Sequence, residues 1–392
     1  MNRSKVAPLF YLGTLISSVG SFSFNTAMIA FMLKSGFHLW NASLILGLNR
    51  LLYVLVMTSL GHLTDQISAR KVVFVTEVVA AIASLCLYLL WSGTDTNYPL
   101  FALFCITRGA VVSFQTGSRS KIAKLMSDET YAQNSKNAIW LNKATQGATL
   151  FGGLIGYTII KYFDFRVAII LDGLTFLTNG LFTLFLPSFD SKASDTNKQV
   201  SWHLKFKDFF KFNKQAASLD VVLAVIMMGT VAFQSRMAGF DQSWVGIYLA
   251  SFGLAVWVSG FLERGITSRV KTVPFWFLLG ISFFILGQLQ GPGLLTLAVM
   301  FIKDLSYWII FHRISAHVQA DTPATSAGSV ASARAAIMIT ILATGEILVG
   351  AWAQVLPITV DASLRALIGI CVGVALFFVK TKRTALDERP SF

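Results

Sequence analysis

Acidic side chains are scarce in this chain. Its 392 residues hold 19 Asp and Glu against 32 Lys and Arg, a formal charge of +13. Cysteine is scarcer still: Cys86, Cys105 and Cys371 are scattered, each within an apolar run. Three such thiols exclude a disulfide framework, and no CxxC or Cys/His spacing points to a metal. His38, His62, His203, His312 and His317 also lack ligand spacing. No Gly-rich loop ends in Lys-Ser or Lys-Thr, which argues against ATP hydrolysis. No nucleophile–base constellation marks an enzyme. The expectation is a non-enzymatic chain with no metal and no cofactor.

What the chain has in abundance is apolar sequence. Hydrophobic residues make up 55%, and the mean hydropathy is +0.65, far from soluble domains. Twelve runs lie near 8–31, 41–60, 72–92, 98–117, 138–160, 166–186, 219–235, 241–260, 273–290, 292–311, 332–355 and 362–379. About 20 apolar residues cross about 30 Å of hydrocarbon as a helix, which satisfies its own backbone hydrogen bonds. The first run is too long for a signal peptide and lacks a small-residue cleavage site, so it reads as a retained helix. The expected fold class is an all-α membrane protein with twelve transmembrane helices in two pseudo-symmetric six-helix bundles.

The basic excess follows topology. With the N-terminus inside, cytoplasmic segments carry 22 of the 32 Lys and Arg, including Arg119, Arg313 and six lysines from Lys192 to Lys214. Outer loops are expected to hold only Lys34, Lys161, Arg166, Arg236 and Arg365. This is the positive-inside asymmetry, with both termini cytoplasmic, and it leaves no basic-aromatic ridge for nucleic acid.

The chain divides at Pro187, giving an N-terminal bundle (1–187), a linker (188–217) and a C-terminal bundle (218–392). Residues 188–198 are polar and read as flexible. Beyond them Trp202, Phe206, Phe209 and Phe210 recur at helical spacing among lysines. That pattern fits an amphipathic helix, lying either on anionic lipid or on protein. The halves also echo each other. Gly61-His62-Leu63-Thr64-Asp65-Gln66-Ile67-Ser68-Ala69-Arg70-Lys71 matches Gly260-Phe261-Leu262-Glu263-Arg264-Gly265-Ile266-Thr267-Ser268-Arg269 in Gly, Leu, Ile and Arg at one offset. A duplicated six-helix unit explains this, and such repeats typify secondary transporters.

The loop after the second run resembles the signature of the major facilitator superfamily in Gly61, Asp65, Arg70 and Lys71. It departs at Gln66, Ser68 and Ala69. The resemblance implies a cytoplasmic latch built from those four matching residues. More narrowly, Asp128-Glu129, Ala132 and Asn137, Gly152-Gly153-Leu154-Ile155-Gly156, Asp172-Gly173-Leu174-Thr175-Phe176 and Val318-Gln319-Ala320-Asp321-Thr322-Pro323 are similar to the branch of enterobactin exporters and macrolide efflux proteins. That branch often carries an acid in its first span, where this chain reads Gly20-Ser21-Phe22. Any coupling role at that point therefore does not carry over.

Five basic residues fall inside runs: Arg50, Arg108, Lys143, Lys303 and Arg334. A cation facing lipid at mid-depth costs at least about 2.5–3.5 kcal/mol, so these are expected to face the bundle interior. Deep acids are Asp304 and Glu346, with Asp172 and Glu77 nearer the ends. The balance reads as positive, which favours an anionic substrate if these cations are not paired within the protein. Lys303 and Asp304 are adjacent, point in different directions, and are not expected to satisfy one another. By resemblance, the first, fourth, seventh and tenth spans line the cavity, which gives priority to Asn25, Gln115 and Gln234 over Asn49, Asn142 and Gln146. Interhelical hydrogen bonding explains such residues equally well.

The expected substrate-binding set is therefore Arg50, Arg108, Asn25, Gln115, Gln234 and Lys303. Glu346, Asp304, Lys143 and Arg334 form the coupling or gating set, with proton coupling as the hypothesis. The resemblance implies a secondary transporter of the bacterial inner membrane that works as an exporter, and the basic interior points to a small anionic or amphiphilic molecule such as a siderophore; a monomer is expected. Its partners would be that small molecule and membrane lipids. Siderophore import, multidrug or macrolide efflux, lysophospholipid movement and a non-transporting sensor remain open alternatives.

Overall fold

The structure is a computed structural model describing residues 3–66, 68–90, 98–126, 140–141, 143–187, 209–210, 214–239, 241–262, 270–289, 291–321 and 327–378. Thirteen helices account for nearly all of these residues: α1 (Arg3–Lys34), α2 (Leu39–Gln66), α3 (Ala69–Leu90), α4 (Tyr98–Leu125), α5 (Ala148–Tyr162), α6 (Phe165–Leu184), α7 (Lys214–Met227), α8 (Thr230–Ala238), α9 (Trp244–Leu262), α10 (Val273–Gln288), α11 (Leu294–Asp321), α12 (Ala327–Trp352) and α13 (Ile358–Phe378). Among the described residues, nine spans are long and apolar enough to cross a membrane. Each expected apolar run coincides with a helix, and α7 with α8 forms one interrupted crossing.

The helices are apolar outside and mixed inside, the reverse of a soluble bundle. On α3, Val75, Val79, Ile82, Leu85 and Leu89 are exposed, whereas Val73, Glu77, Ala80, Ser84 and Leu87 are buried. Acyl chains tolerate the first face, and helix neighbours must satisfy the polar groups of the second. Local signals set the ends. Asp164 caps α6 by accepting the Arg166 amide at 2.7 Å. Pro274 opens α10, where its missing N–H costs nothing.

Two compact units emerge. The first comprises Met1–Gln199 with Val245–Gly253, and the second Val200–Trp244 with Leu254–Phe392. In the first, α1 packs on α5 and α6, α2 on α4, and α3 on α4 and α6. Gly152 and Gly156 let α1 approach closely: a Cβ at either would strike Phe22 or Thr26. In the second, α10 packs on α11 and α13, and α7 touches α11, α12 and α13.

The sequence pattern predicts one continuous helix over 219–235; the structure breaks it at Met228-Gly229. Gly229 has φ +62, a left-handed conformation that glycine adopts without a Cβ penalty, and Val349 crowds the space a Cβ would need. Of the amphipathic linker segment, only Phe209 and Phe210 lie within the described residues. Both are helical, and Phe209 is buried in protein.

Candidate functional site

Each unit contains buried ionic clusters, built where helices bring distant polar residues together. In the first unit, Arg108 on α4 grips Asp172 on α6 through two bonds, Nε donating at 2.6 Å and Nη2 at 2.5 Å. Ser84 donates a third bond to Asp172 at 3.0 Å. The guanidinium lies 4.4 Å from the Phe24 ring centroid and 5.3 Å from that of Phe176. This pair is dry and satisfied.

A second cluster gathers around Glu77. Its carboxylate accepts from Arg119 at 2.6 Å, from Ser17 at 3.3 Å and from Asn179. Arg119 also donates to Gln115 Oε1 at 3.0 Å, and the buried Gln115 amide nitrogen has no hydrogen-bond partner among the described residues. Arg119 was expected in a cytoplasmic loop; it is buried on α4 instead. Hydropathy alone sees an arginine and closes the span early, whereas the carboxylate on α3 keeps it inside.

In the second unit, Arg334 on α12 makes two bonds to Asp220 on α7, at 2.5 and 2.8 Å, and a third to Ser315 at 2.8 Å. Arg236 and Arg365, both expected in outer loops, instead belong to helices and share Asp361 at 3.5 and 2.8 Å. The break between α7 and α8 explains what holds them. Arg365 donates to the carbonyl of Ile226, at the C-terminal end of α7, at 2.6 Å. Glu346 accepts the amide of Ala232, at the N-terminal end of α8, at 2.8 Å. Each open helix end thus meets the charge its dipole favours.

Lys303 and Asp304, fully buried on α11, correct another expectation. Their charges lie 2.7 Å apart, so each is the other's ionic partner. Asp304 Oδ2 has no hydrogen-bond partner among the described residues. Gln234, on α8, is also fully buried, and neither of its amide atoms nor the buried Oδ1 of Asn25 on α1 has a hydrogen-bond partner among the described residues.

The remaining expected residues lie elsewhere in the fold. Arg50 is half-buried on α2, and Lys143 lies 5.4 Å from the Trp140 ring. Arg70 donates to the carbonyl of Leu184, at the end of α6, at 2.6 Å, while Lys71 is exposed. The side chains of Gly61 and Asp65 lie outside the described residues, as do Asn142 and the 128–137 segment. Partners missed in the sequence include Asp220, at the edge of the expected 219–235 run, and Asp361, in the first turn of α13. The i,i+4 spacing of Asp361 and Arg365 was a legible sign. Because Arg108, Arg334 and Lys303 each sit against a carboxylate, the positive interior expected from the sequence is offset, and with it the argument for an anionic substrate.

A profile of the Major Facilitator Superfamily matches residues 10–382. No curated protein is significantly similar in sequence. Among solved structures, the nucleoside transporter NupG aligns with a TM-score of 0.69 at 13% identity, covering 95% of this chain and 99% of that one. A POT family transporter in complex with a thioalcohol-conjugated peptide aligns at 0.72 and 11%, covering 95% of each chain. A bacterial homolog of the human lysosomal transporter Spinster aligns at 0.65 and 13%, covering 96% of this chain and 95% of that one. At such identities the likeness carries the fold alone.

Proposed function

The chain belongs to the Major Facilitator Superfamily of secondary transporters, and on that premise we propose that it exports a small amphiphilic organic solute across the bacterial inner membrane by alternating access. The observation that carries the substrate reading is two amides with buried atoms that have no hydrogen-bond partner among the described residues, Gln234 through both atoms and Asn25 through Oδ1. Phe24-Asn25 on α1 and Phe233-Gln234 on α8 each place a phenyl ring beside such an amide. Each ring also lies against a guanidinium, Arg108 at 4.4 Å and Arg365 at 5.4 Å. Rings with a few hydrogen-bonding groups suit a solute that is part apolar and part polar. In this reading Asn25, Gln115 and Gln234 contact the solute, and Arg108 and Arg334 act as struts within their units.

Asp304 and Glu346 are the proton-coupling candidates, and Asp65 with Arg70 the cytoplasmic latch. Export rests on the likeness of sequence segments to siderophore and macrolide exporters. The test is uptake into proteoliposomes with carboxylate siderophores, cationic drugs and lysolipids, with and without a pH gradient. Substrate-dependent flux that weakens in Gln234→Leu supports the proposal, and absence of flux for every amphiphile overturns it. An unchanged gradient-driven flux in the double variant Asp304→Asn with Glu346→Gln removes proton coupling at these acids.

A further inference from the structure

The two units carry charge-inverted versions of one device. Arg108 is the eleventh residue of α4 and Asp304 the eleventh of α11, both helices having 28 residues. Asp172 is the eighth residue of α6 and Arg365 the eighth of α13. Cation and carboxylate have therefore exchanged helices between the repeats. The first version is closed, with two guanidinium bonds and a serine bond on Asp172.

The second version is paired differently: Asp304 lies 2.7 Å from the neighbouring Lys303, and Arg365 bonds Asp361. Lys303 Nζ lies 5.6 Å and the Arg365 guanidinium carbon 5.5 Å from the same Phe283 ring, so the two cations lie within about 11 Å of one another. Phe283 meets Phe233 at 5.6 Å, the ring next to Gln234. Around these rings, beyond the 2.7 Å Lys303–Asp304 ion pair, Asp304 Oδ2, the Gln234 amide and Arg365 Nη2 have no hydrogen-bond partner among the described residues. Buried groups of this kind seek partners, since an unmade hydrogen bond in a low-dielectric interior is costly. The site is also electrically balanced: Lys303, Arg236 and Arg365 stand against Asp304, Asp361 and Glu346. A ligand with net charge would disturb that balance; one carrying both charges would not.

We propose that Lys303, Asp304, Gln234 and Arg365 form a receiving site for a zwitterionic group, its cation bound to Asp304 and its anion to Lys303 and Arg365. This rests on the transport reading above and narrows it to a solute class. The shared chemistry belongs to free amino acids and to zwitterionic lipid headgroups alike.

The experiment measures thermal unfolding of the purified full-length chain by tryptophan fluorescence, with matched probes. L-phenylalanine carries both charges, phenethylamine only the cation, 3-phenylpropionate only the anion, and lysophosphatidylethanolamine is the lipid arm. The expected result is a rise in Tm with phenylalanine or with lysophosphatidylethanolamine, and none with the singly charged probes. The responding arm identifies the source. Equal shifts with a singly charged probe, or no shift with either zwitterion, overturn the proposal. Single neutralisation strands one buried charge and endangers folding, so the second variant is Lys303→Met with Asp304→Leu. It should unfold at an equal or higher temperature than the parent and show no zwitterion shift; a retained shift also overturns the site. Counterflow of a singly charged amphiphile alongside a failed zwitterion response would sink this inference alone and leave the transport reading standing.

Discussion

Neutralising Arg108 by Arg108→Met removes two short bonds to Asp172 and two phenyl contacts at once. What remains is a fully buried carboxylate held by Ser84 alone. Breaking a buried pair from one side costs about 3–5 kcal/mol, because the surviving charge has no solvent to turn to. Loss of the ring contacts adds about 0.5–2 kcal/mol. Removing both partners is different. Arg108→Met with Asp172→Leu leaves no charge behind, and such replacements range from neutral to about 1–4 kcal/mol stabilising. The double variant should therefore be more stable than either single one, with a coupling energy of at least about 3 kcal/mol. Unfolding in detergent micelles, followed through the tryptophans, reads all four proteins of the cycle. Additive single effects, or a double variant weaker than both singles, would refute the claim that this pair is a strut closed within its unit.

Two further outcomes follow from local geometry. Gly229→Ala forces a side chain into left-handed backbone against Val349, and should cost about 1–3 kcal/mol in the same unfolding assay, whereas Gly260→Ala, on a helix with open space at that point, should cost almost nothing. Arg70→Ala removes an exposed bond to the last turn of α6 and should cost no more than about 1 kcal/mol in stability; a several-fold fall in flux beside that small loss would support the latch, and an unchanged flux would remove Arg70 from it.

Hydropathy made the helices legible because lipid demands unbroken apolar length, and α1, α3, α6 and α13 fall within a few residues of their expected bounds. The interruption at Gly229 was not legible. A glycine inside an apolar run signals close packing as readily as a break, and what decides here is tertiary: Arg365 and Glu346 stand ready to hold the two open ends. The same limit misplaced Arg119, Arg236 and Arg365, since a span assignment counts charges without seeing their partners. The charge balance of the candidate site failed for a related reason. Asp220 and Asp361 lie at the edges of expected apolar runs, where an acid looks solvated until Arg334 and Arg365 are seen reaching it. Gln234 and Asn25 were legible as polar intrusions, but only coordinates reveal that their amide atoms are left over.

The seat of α1 bears on how the chain is made. Its principal neighbours are α5 and α6, with little contact to α2, the next helix to emerge from the ribosome. At a synthesis rate of about 5–20 residues per second, α1 waits on the order of ten seconds before the surfaces of α5 and α6 exist. In that interval Ser23 and Thr26 already bond carbonyls of their own helix, at 2.8 Å each, while Ser17 awaits Glu77 of α3. Assembly of the first unit therefore has to bring α1 onto helices made well after it.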